Sequence, residues 1–393
     1  MVTMSDLHGL LQAHVDSGYL PGAVALIARG DRAEVAAVGS LDTEGTAPMA
    51  RDTLFRIASL TKPVTAAAAM MLIEDGLLAL DAPVARWLPE LAAPVVVRTP
   101  ASPVEDVVPA QRPITVEDLL TFRAGYGFPA DFSLPAVQLL FSELRQGPPE
   151  PQEIAAPDAW MAALARIPLL HQPGRAWLYN TCSDILGVLL ARAAGQPLPD
   201  LLAERLFEPL GMRDTAFAVP PAQRHRLASY YRAAPDAGSP DGAALHLVDG
   251  PDGQWSTPPA FPSATGGLVS TADDWYAFGR MLLGGGAYPG GRLLSADSVR
   301  QMTTDHLTAP QREAGALFLE GQGWGFGGSV DVAPLEPWNV PGRYGWMGGT
   351  GTAAHIVPAT GTVTVLLTQR ELAGPSSAEP MRQFWALAAA ERA

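Results

Sequence analysis

The sequence predicts an α/β protein in which an antiparallel sheet, formed from both termini and flanked by helices, carries an inserted, mostly helical domain. Three observations support this fold class: strand patterns near the N-terminus, helical patterns through the middle, and strand patterns again toward the C-terminus. We expect residues 1–80 and 286–393 to form the α/β domain and residues 81–285 to form the insertion. A site between the two parts is expected.

The elements follow in order along the chain. A helix ends near Ser17 and precedes a β-hairpin of two apolar segments, 23–27 and 34–38. Residues 63–74 form a long apolar helix. Its most apolar run, 64–73, is about half of the ~20 residues needed to span a bilayer, so we expect a buried helix rather than a membrane span. The later helices are predicted at 116–122, 157–166, 183–194, 198–206, 272–283 and 378–390, and the later strands at 324–332, 353–357 and 362–368.

Composition restricts the class of function. The chain has 393 residues and a formal net charge of -14, which repels phosphate backbones and anionic lipid, so we expect neither nucleic acid nor membrane as partner. Cys182 is the only cysteine, and the seven histidines show no zinc-site spacing, so we expect no disulfide, metal or cofactor. The N-terminus lacks the pattern of a secretory signal, which favours a cytoplasmic location.

A hydroxyl and an amine stand three residues apart at the start of the apolar helix, in Ser59-Leu-Thr-Lys62-Pro63. Residues at this spacing share a helix face and can touch. Lys62 is the only lysine of the chain, and a lysine whose pKa is lowered can activate a serine, whereas arginine stays protonated. A solvated lysine is less favoured here, because the positive end of the helix dipole disfavours it. The backbone N–H of Ser59 would also face an oxyanion.

Two further segments complete the candidate site. Tyr179 follows Pro173-Gly174 and precedes a helix, so its hydroxyl could face the cleft. A tyrosine beside a turn is usually a packing residue, so a catalytic role for Tyr179 depends on the presence of the other elements. The glycine-rich segment 344–352 precedes a strand, and the N–H of Gly349 is a candidate second oxyanion donor. Judged alone, that segment could equally be a turn.

These three elements, in this order, resemble the serine β-lactamase and penicillin-binding-protein superfamily, and most closely the class C-like esterases called family VIII carboxylesterases. The resemblance covers nearly the whole chain and extends to the segments 52–63, 80–84, 114–121, 210–215 and 266–274. It implies a β-lactamase/transpeptidase-like fold with Ser59 as the acylated nucleophile, Lys62 as the activating amine and Tyr179 as the partner in proton transfer. The N–H groups of Ser59 and Gly349 would form the oxyanion hole. Lys62 and Tyr179 are treated as a coupled pair, with the first base left open.

Departures from the superfamily pattern bear on the substrate. Where a Lys-Thr-Gly motif is expected, the chain has Trp346-Met347-Gly348, so the cation that would attract a substrate carboxylate is replaced by an indole that could form a flat apolar wall. This favours a neutral, small-molecule ester over an anionic β-lactam or peptide. Trp346 and Gly348 are expected to bind substrate, together with Phe122 and Tyr126 in a loop that the family brings near the cleft.

The sequence therefore predicts a serine carboxylesterase that cleaves short-chain esters through a Ser59 acyl-enzyme. Three alternatives are kept: acyl transfer to a natural-product alcohol or amine, weak β-lactamase or D-peptidase activity, and a non-catalytic binding protein of the same fold. Retention of Ser59, the sole lysine and Tyr179 argues against the last. Acyl chain length, physiological substrate and oligomeric state are left open.

Overall fold

A computed structural model describes residues 4–30, 32–234 and 244–390. The helices are α1 Met4–Asp16, α2 Thr61–Glu74, α3 Val116–Leu120, α4 Pro135–Ser142, α5 Pro157–Leu164, α6 Thr181–Ala194, α7 Leu198–Leu202, α8 Glu208–Leu210, α9 Ala272–Leu283, α10 Ala296–Met302, α11 Ala309–Ala314, α12 Ala316–Leu319 and α13 Glu379–Ala389. None of the helices within these ranges is long and apolar enough to cross a membrane.

Within the described residues, the strands form one large sheet and four small pairs. They are β1 Gly22–Arg29, β2 Arg32–Gly39, β3 Phe55–Arg56, β4 Val95–Val97, β5 Val107–Pro109, β6 Tyr230–Ala233, β7 Leu245–Asp249, β8 Val269–Ser270, β9 Ala287–Tyr288, β10 Gly291–Arg292, β11 Gly323–Trp324, β12 Ser329–Val330, β13 Tyr344–Gly348, β14 Thr352–Val357 and β15 Thr362–Thr368. The large sheet has the order β11-β12-β13-β14-β15-β1-β2, and all its neighbours are antiparallel. The two ends of the chain thus meet where β1 pairs with β15.

Both faces of the sheet are covered, which explains why its central strands are apolar at consecutive positions rather than at alternate ones. Ala23, Ala25 and Ile27 pack on the face that α1 and α13 cover, together with side chains such as Leu11 and Phe384. The alternate residues of β1, Val24, Leu26 and Ala28, belong to the main core on the opposite face, where α9 contacts the sheet. The predicted fold class is confirmed.

The main departure from the predicted elements lies at the sheet edge. Residues 324–332 were expected to form one strand, but the structure has β11 and β12 joined by a turn. Gly327 adopts φ +73°, and a Cβ at this position would lie 2.6 Å from the carbonyl oxygen of Lys62. The turn therefore packs directly on the start of α2, which a continuous strand could not do.

Elements from distant parts of the chain meet around the start of α2. The short strand β3 lies immediately before the turn that carries Ser59. Its residues Phe55 and Arg56 pair with residues 269–270 of β8. Helix α2 contacts α6, and the turn at Ser59 contacts β13. The boundaries proposed for the inserted domain, after residues 80 and 285, stay a prediction.

Candidate active site

Ser59 lies in a strained turn rather than in the α-helix that follows it. Residues Ala58–Leu60 form a 3-10 turn, and Ala58 has φ +45°, a backbone conformation that L-residues rarely adopt. The turn is held by the Thr61 hydroxyl, which donates to the Ala58 carbonyl at 2.7 Å, and by the Ile57 N–H, which donates to Leu268 O at 3.0 Å. Ser59 is consequently presented, partly exposed, at the mouth of a cleft.

The Lys62 side chain is buried, with 1% of its surface exposed, and reaches Ser59 from behind. Its Nζ donates to Ser59 Oγ at 2.8 Å and to the backbone carbonyl of Thr265 at 2.9 Å. Burial lowers the pKa of Lys62 from 10.5 to about 7, and the charge of Asp184 partly opposes this shift. Near neutral pH, a large fraction of Lys62 is therefore an uncharged amine that can accept a proton.

Tyr179 approaches the same oxygen from the other side. Its hydroxyl donates to Ser59 Oγ at 2.9 Å and accepts a hydrogen bond from the Trp346 indole N–H at 2.7 Å. Burial raises the pKa of Tyr179 to about 12, although its hydrogen bonds with Ser59 and Trp346 oppose the shift. Tyr179 is thus a neutral phenol at physiological pH.

The backbone of Tyr179 is fixed by its neighbours. It forms both hydrogen bonds of a bridge with Phe128, at 2.8 and 3.0 Å. Gly127 precedes Phe128 with φ +136°, and a Cβ there would lie 2.5 Å from Tyr179 O, so a side chain would push this bridge apart. Asn180, which follows Tyr179, has φ +86°. Strained residues therefore stand next to both Ser59 and Tyr179, as is common at active sites.

The glycines after β13 bring the sheet edge to the Ser59 turn. A Cβ at Gly348 would meet the Thr352 hydroxyl and would lie 2.6 Å from Ile57 O, so only glycine fits this contact. Gly349 lines the cleft beside Ser59, and its carbonyl accepts a hydrogen bond from Leu372 N at 2.8 Å. Ser59 and Gly349 thus line the same cavity.

The cleft has a volume of about 290 Å³ and a mainly apolar lining. Among the described residues that line it, four carry a charge, namely Arg145, Glu150, Asp184 and Glu371, and three of these are acidic. Its apolar wall consists of Phe128, Leu144, Pro148, Pro149, Pro151, Ile154, Trp255 and Leu372. A larger groove, of about 830 Å³, lies along α9 beside Tyr276 and Tyr288. Its lining does not include Ser59, Lys62 or Tyr179.

Three residues expected to contact substrate are placed differently. Phe122 is 1% exposed, and its ring packs on Trp324 and Tyr179 with centroids 4.7 and 6.1 Å apart. Tyr126 is 3% exposed and donates to Ile167 O at 3.2 Å, so both rings lie behind the cleft wall. Trp346 is 2% exposed, so its indole offers no open apolar face and instead supports Tyr179.

Sequence reasoning missed the loop that supports Lys62 and the carboxylate behind it. Thr265 supplies the carbonyl that accepts from Lys62, and Asp184 in α6 accepts from the backbone N–H of Thr265. The only available signals were the Gly266-Gly267 pair and an aspartate five residues after Tyr179, neither of which points to a lysine. No cluster of three metal-ligating side chains occurs in the ranges that the structure describes.

Comparisons with known proteins identify the family of the chain. The Beta-lactamase family model matches residues 7–389. Protein Rv1367c of Mycobacterium tuberculosis is 42% identical over 90% of this chain and 87% of its own, and Esterase EstB of Burkholderia gladioli is 32% identical over 91% and 88%. The solved structure of EstCE1, described as a hydrolase with promiscuous acyltransferase activity, is 26% identical, covers 98% of each chain and has a TM-score of 0.79. The chain therefore belongs to the Beta-lactamase family, as its motifs implied.

Proposed function

We propose that this chain is a carboxylesterase of the family VIII type, which hydrolyses neutral esters through an acyl-enzyme on Ser59. The observation that carries the proposal is the placement of one serine oxygen within hydrogen-bond distance of both a lysine amine and a tyrosine hydroxyl, at 2.8 and 2.9 Å. The similarity to Esterase EstB and to the hydrolase EstCE1 supports ester chemistry.

The pKa values favour Lys62 as the first base. With a pKa of about 7, its amine can accept the Ser59 proton near neutral pH, whereas Tyr179, at about 12, holds its own proton. Ser59 Oγ then forms a bond to the ester carbonyl carbon, and the carbonyl oxygen takes the negative charge. The N–H groups of Ser59 and Gly349 are the proposed donors to that oxyanion.

Collapse of this intermediate breaks the bond to the alcohol and leaves an acyl group on Ser59. The proton held by Lys62 passes to the leaving alkoxide, and Tyr179, whose hydroxyl lies 2.9 Å from Ser59 Oγ, is the proposed relay. Water then attacks the acyl carbon and gives its proton to the neutral Lys62 amine. The bond between the acyl carbon and Ser59 Oγ breaks, the acid leaves, and the proton passes from Lys62 to Ser59 Oγ, which restores the hydroxyl.

The charges of the cleft favour an uncharged substrate. Glu150 and Glu371 line the cleft, where Glu150 pairs with Arg145 and Glu371 pairs with Arg232, and the sequence has the neutral Trp346 where a lysine would attract a substrate carboxylate. Arg145 is engaged at 3.6 Å by Glu150 and at 3.7 Å by Glu153, which weakens its attraction for an anion. An anionic β-lactam or D-peptide is accordingly a poorer substrate, and turnover of such compounds is proposed to be weak.

Acyl transfer is the second candidate function, because the same acyl-enzyme can react with an alcohol instead of water. The observation in its favour is the similarity to EstCE1, which is described as having promiscuous acyltransferase activity. The mainly apolar lining of the cleft is consistent with an alcohol acceptor. Adding an alcohol during ester hydrolysis and measuring the ratio of new ester to free acid separates the two outcomes.

Hydrolysis of p-nitrophenyl hexanoate and of the p-nitrophenyl hemiester of adipate tests the proposal, because the two acyl groups are similar in length but differ by one negative charge, and the adipate carboxylate is too far from the ester to expel p-nitrophenol by itself. Wild type should hydrolyse the neutral ester with a kcat/KM at least about tenfold higher, the effect of roughly 1.4 kcal/mol. Ser59→Ala should hydrolyse neither. Equal rates for the two esters would contradict the neutral-substrate assignment, and undiminished turnover by Ser59→Ala would contradict the nucleophile.

A further inference from the structure

A buried carboxylate lies behind the catalytic cluster on helix α6. Asp184 is 5% exposed. Its Oδ1 accepts hydrogen bonds from the Ser263 hydroxyl at 2.8 Å and from Thr265 N–H at 3.0 Å, and its Oδ2 accepts from Gln146 Nε2 at 3.4 Å. Burial raises the pKa of Asp184 above its usual value, and the hydrogen bonds from Ser263 and Thr265 oppose this shift because they stabilise the ionised carboxylate.

Thr265 lies between Asp184 and Lys62, and its backbone forms a hydrogen bond with each of them. Its N–H donates to Asp184, and its carbonyl accepts from Lys62 Nζ at 2.9 Å. Its hydroxyl donates to Asn180 O at 3.3 Å, which ties the same loop to the residue after Tyr179. The position of the Lys62 amine beside Ser59 thus depends on a loop that Asp184 holds.

The charge of Asp184 also acts on Lys62. Asp184 opposes the lowering of the Lys62 pKa by burial, and Lys62 in turn opposes the raising of the Asp184 pKa. In the described chain the titratable groups that face Lys62 are Asp184 and Tyr179, whose ring centroid lies 4.7 Å from Nζ. An ammonium that forms at this buried position when Ser59 gives up its proton has Asp184 as its countercharge.

We propose that Asp184 is a positioning residue that holds the Thr265 carbonyl against Lys62 and stabilises the ammonium formed as Ser59 attacks the ester. The catalytic half of this inference rests on the proposed function, whereas the coupling between Asp184 and Lys62 does not. If Asp184 served only as an anchor for the loop at Ser263, an uncharged replacement of the same shape would leave the titration of Lys62 unchanged.

The sole lysine makes the coupling directly measurable. Protein labelled with carbon-13 at the lysine ε position gives one side-chain resonance, that of Lys62, whose chemical shift reports its protonation as pH changes. The variant is Asp184→Asn, which removes the charge and keeps the shape. Its control is Asp200→Asn, which makes the same change of net charge at an exposed position of α7.

We expect the Lys62 titration midpoint in Asp184→Asn to move about one pH unit lower than in wild type, as follows from the loss of a nearby opposite charge. Asp200→Asn should match wild type. The pH profile of kcat should move in the same direction, with a plateau about tenfold lower because the ammonium loses its countercharge. Should Asp184→Asn not fold, Asp184→Ser carries the same test, since it removes the charge without adding volume at this buried position.

An unchanged Lys62 midpoint in a folded, uncharged variant would overturn the inference. An unchanged pH profile would do so as well. Absence of ester turnover in wild type would instead count against the proposed function, and the resonance of Lys62 would still decide whether Asp184 is coupled to it.

Discussion

The buried amine of Lys62 predicts a specific pH dependence of ester hydrolysis. With the ordinary pKa of 10.5, about one molecule in 3,000 would have a neutral lysine at pH 7, whereas with a pKa of about 7 about half would. The difference corresponds to about 5 kcal/mol of preference for the neutral amine. We therefore expect kcat/KM to rise with pH and to reach half of its plateau near pH 7.

The sign of the effect on stability follows from the same shift. The folded state holds Lys62 with a lower pKa than the unfolded chain, so between about pH 7 and 10.5 the unfolded chain binds more protons. The contribution of Lys62 to the free energy of unfolding therefore rises with pH across that window, by up to about 1.4 kcal/mol per pH unit. It is least favourable below pH 7, where the buried amine must carry its charge.

The assay is the initial rate of p-nitrophenyl butyrate hydrolysis between pH 5 and 9, followed at the isosbestic wavelength of p-nitrophenol so that its ionisation does not enter. Lys62→Arg is measured beside wild type, because arginine keeps the positive charge but cannot release its proton. We expect Lys62→Arg to lower kcat by about 10²- to 10⁴-fold, the usual contribution of a general base. A flat profile in wild type, or a variant that retains most of its activity, would refute the assignment of Lys62 as the base.

Other substitutions test the surrounding groups. Trp346→Phe keeps an aromatic ring but removes the donor to Tyr179, and should lower kcat about tenfold in steady-state assays. Gly349→Pro removes a proposed oxyanion donor and should lower kcat about 100-fold, whereas Gly349→Ala, whose Cβ meets nothing within 4 Å, should keep both activity and melting temperature. Gly348→Ala should lower the melting temperature, because its Cβ collides with Ile57 O. Lys62→Met should stabilise the fold at pH 6 in denaturant titrations by on the order of 2 kcal/mol, since no charge is then buried.

Trp346→Phe with wild-type kcat would show that Tyr179 needs no support from the indole. Equal activities of the two Gly349 variants, with both folded by circular dichroism, would remove its N–H from the oxyanion hole. A Lys62→Met variant less stable than wild type at pH 6 would show that the ammonium is well accommodated.

Much of the fold was predictable, because its signals are local. The segments of α2, β1, β14 and β15 are continuous apolar runs bounded by turn residues, and the structure has elements at each of these places. The interruption between β11 and β12 was not predictable, since it comes from the contact of Gly327 with the start of α2. Contacts between residues far apart in sequence leave no periodic pattern.

The same distinction applies to the candidate site. Ser59 and Lys62 could be paired from their spacing, and Tyr179 from the resemblance of its segment. The support of Lys62 by Thr265 and Asp184 could not be predicted, because these residues lie in distant parts of the chain that only the fold brings together. The role of Trp346 could not be predicted either. Its indole was expected to form a wall for the substrate, but it is buried against Tyr179.

The central claim is that Ser59 becomes covalently acylated. Intact-mass measurement after brief incubation with p-nitrophenyl butyrate or with a serine-directed fluorophosphonate, followed by peptide mapping, tests it most directly. We predict one adduct per chain, located on the peptide that contains Ser59 and absent from Ser59→Ala. An adduct on another residue, or complete hydrolysis of the ester by folded Ser59→Ala, would contradict the account.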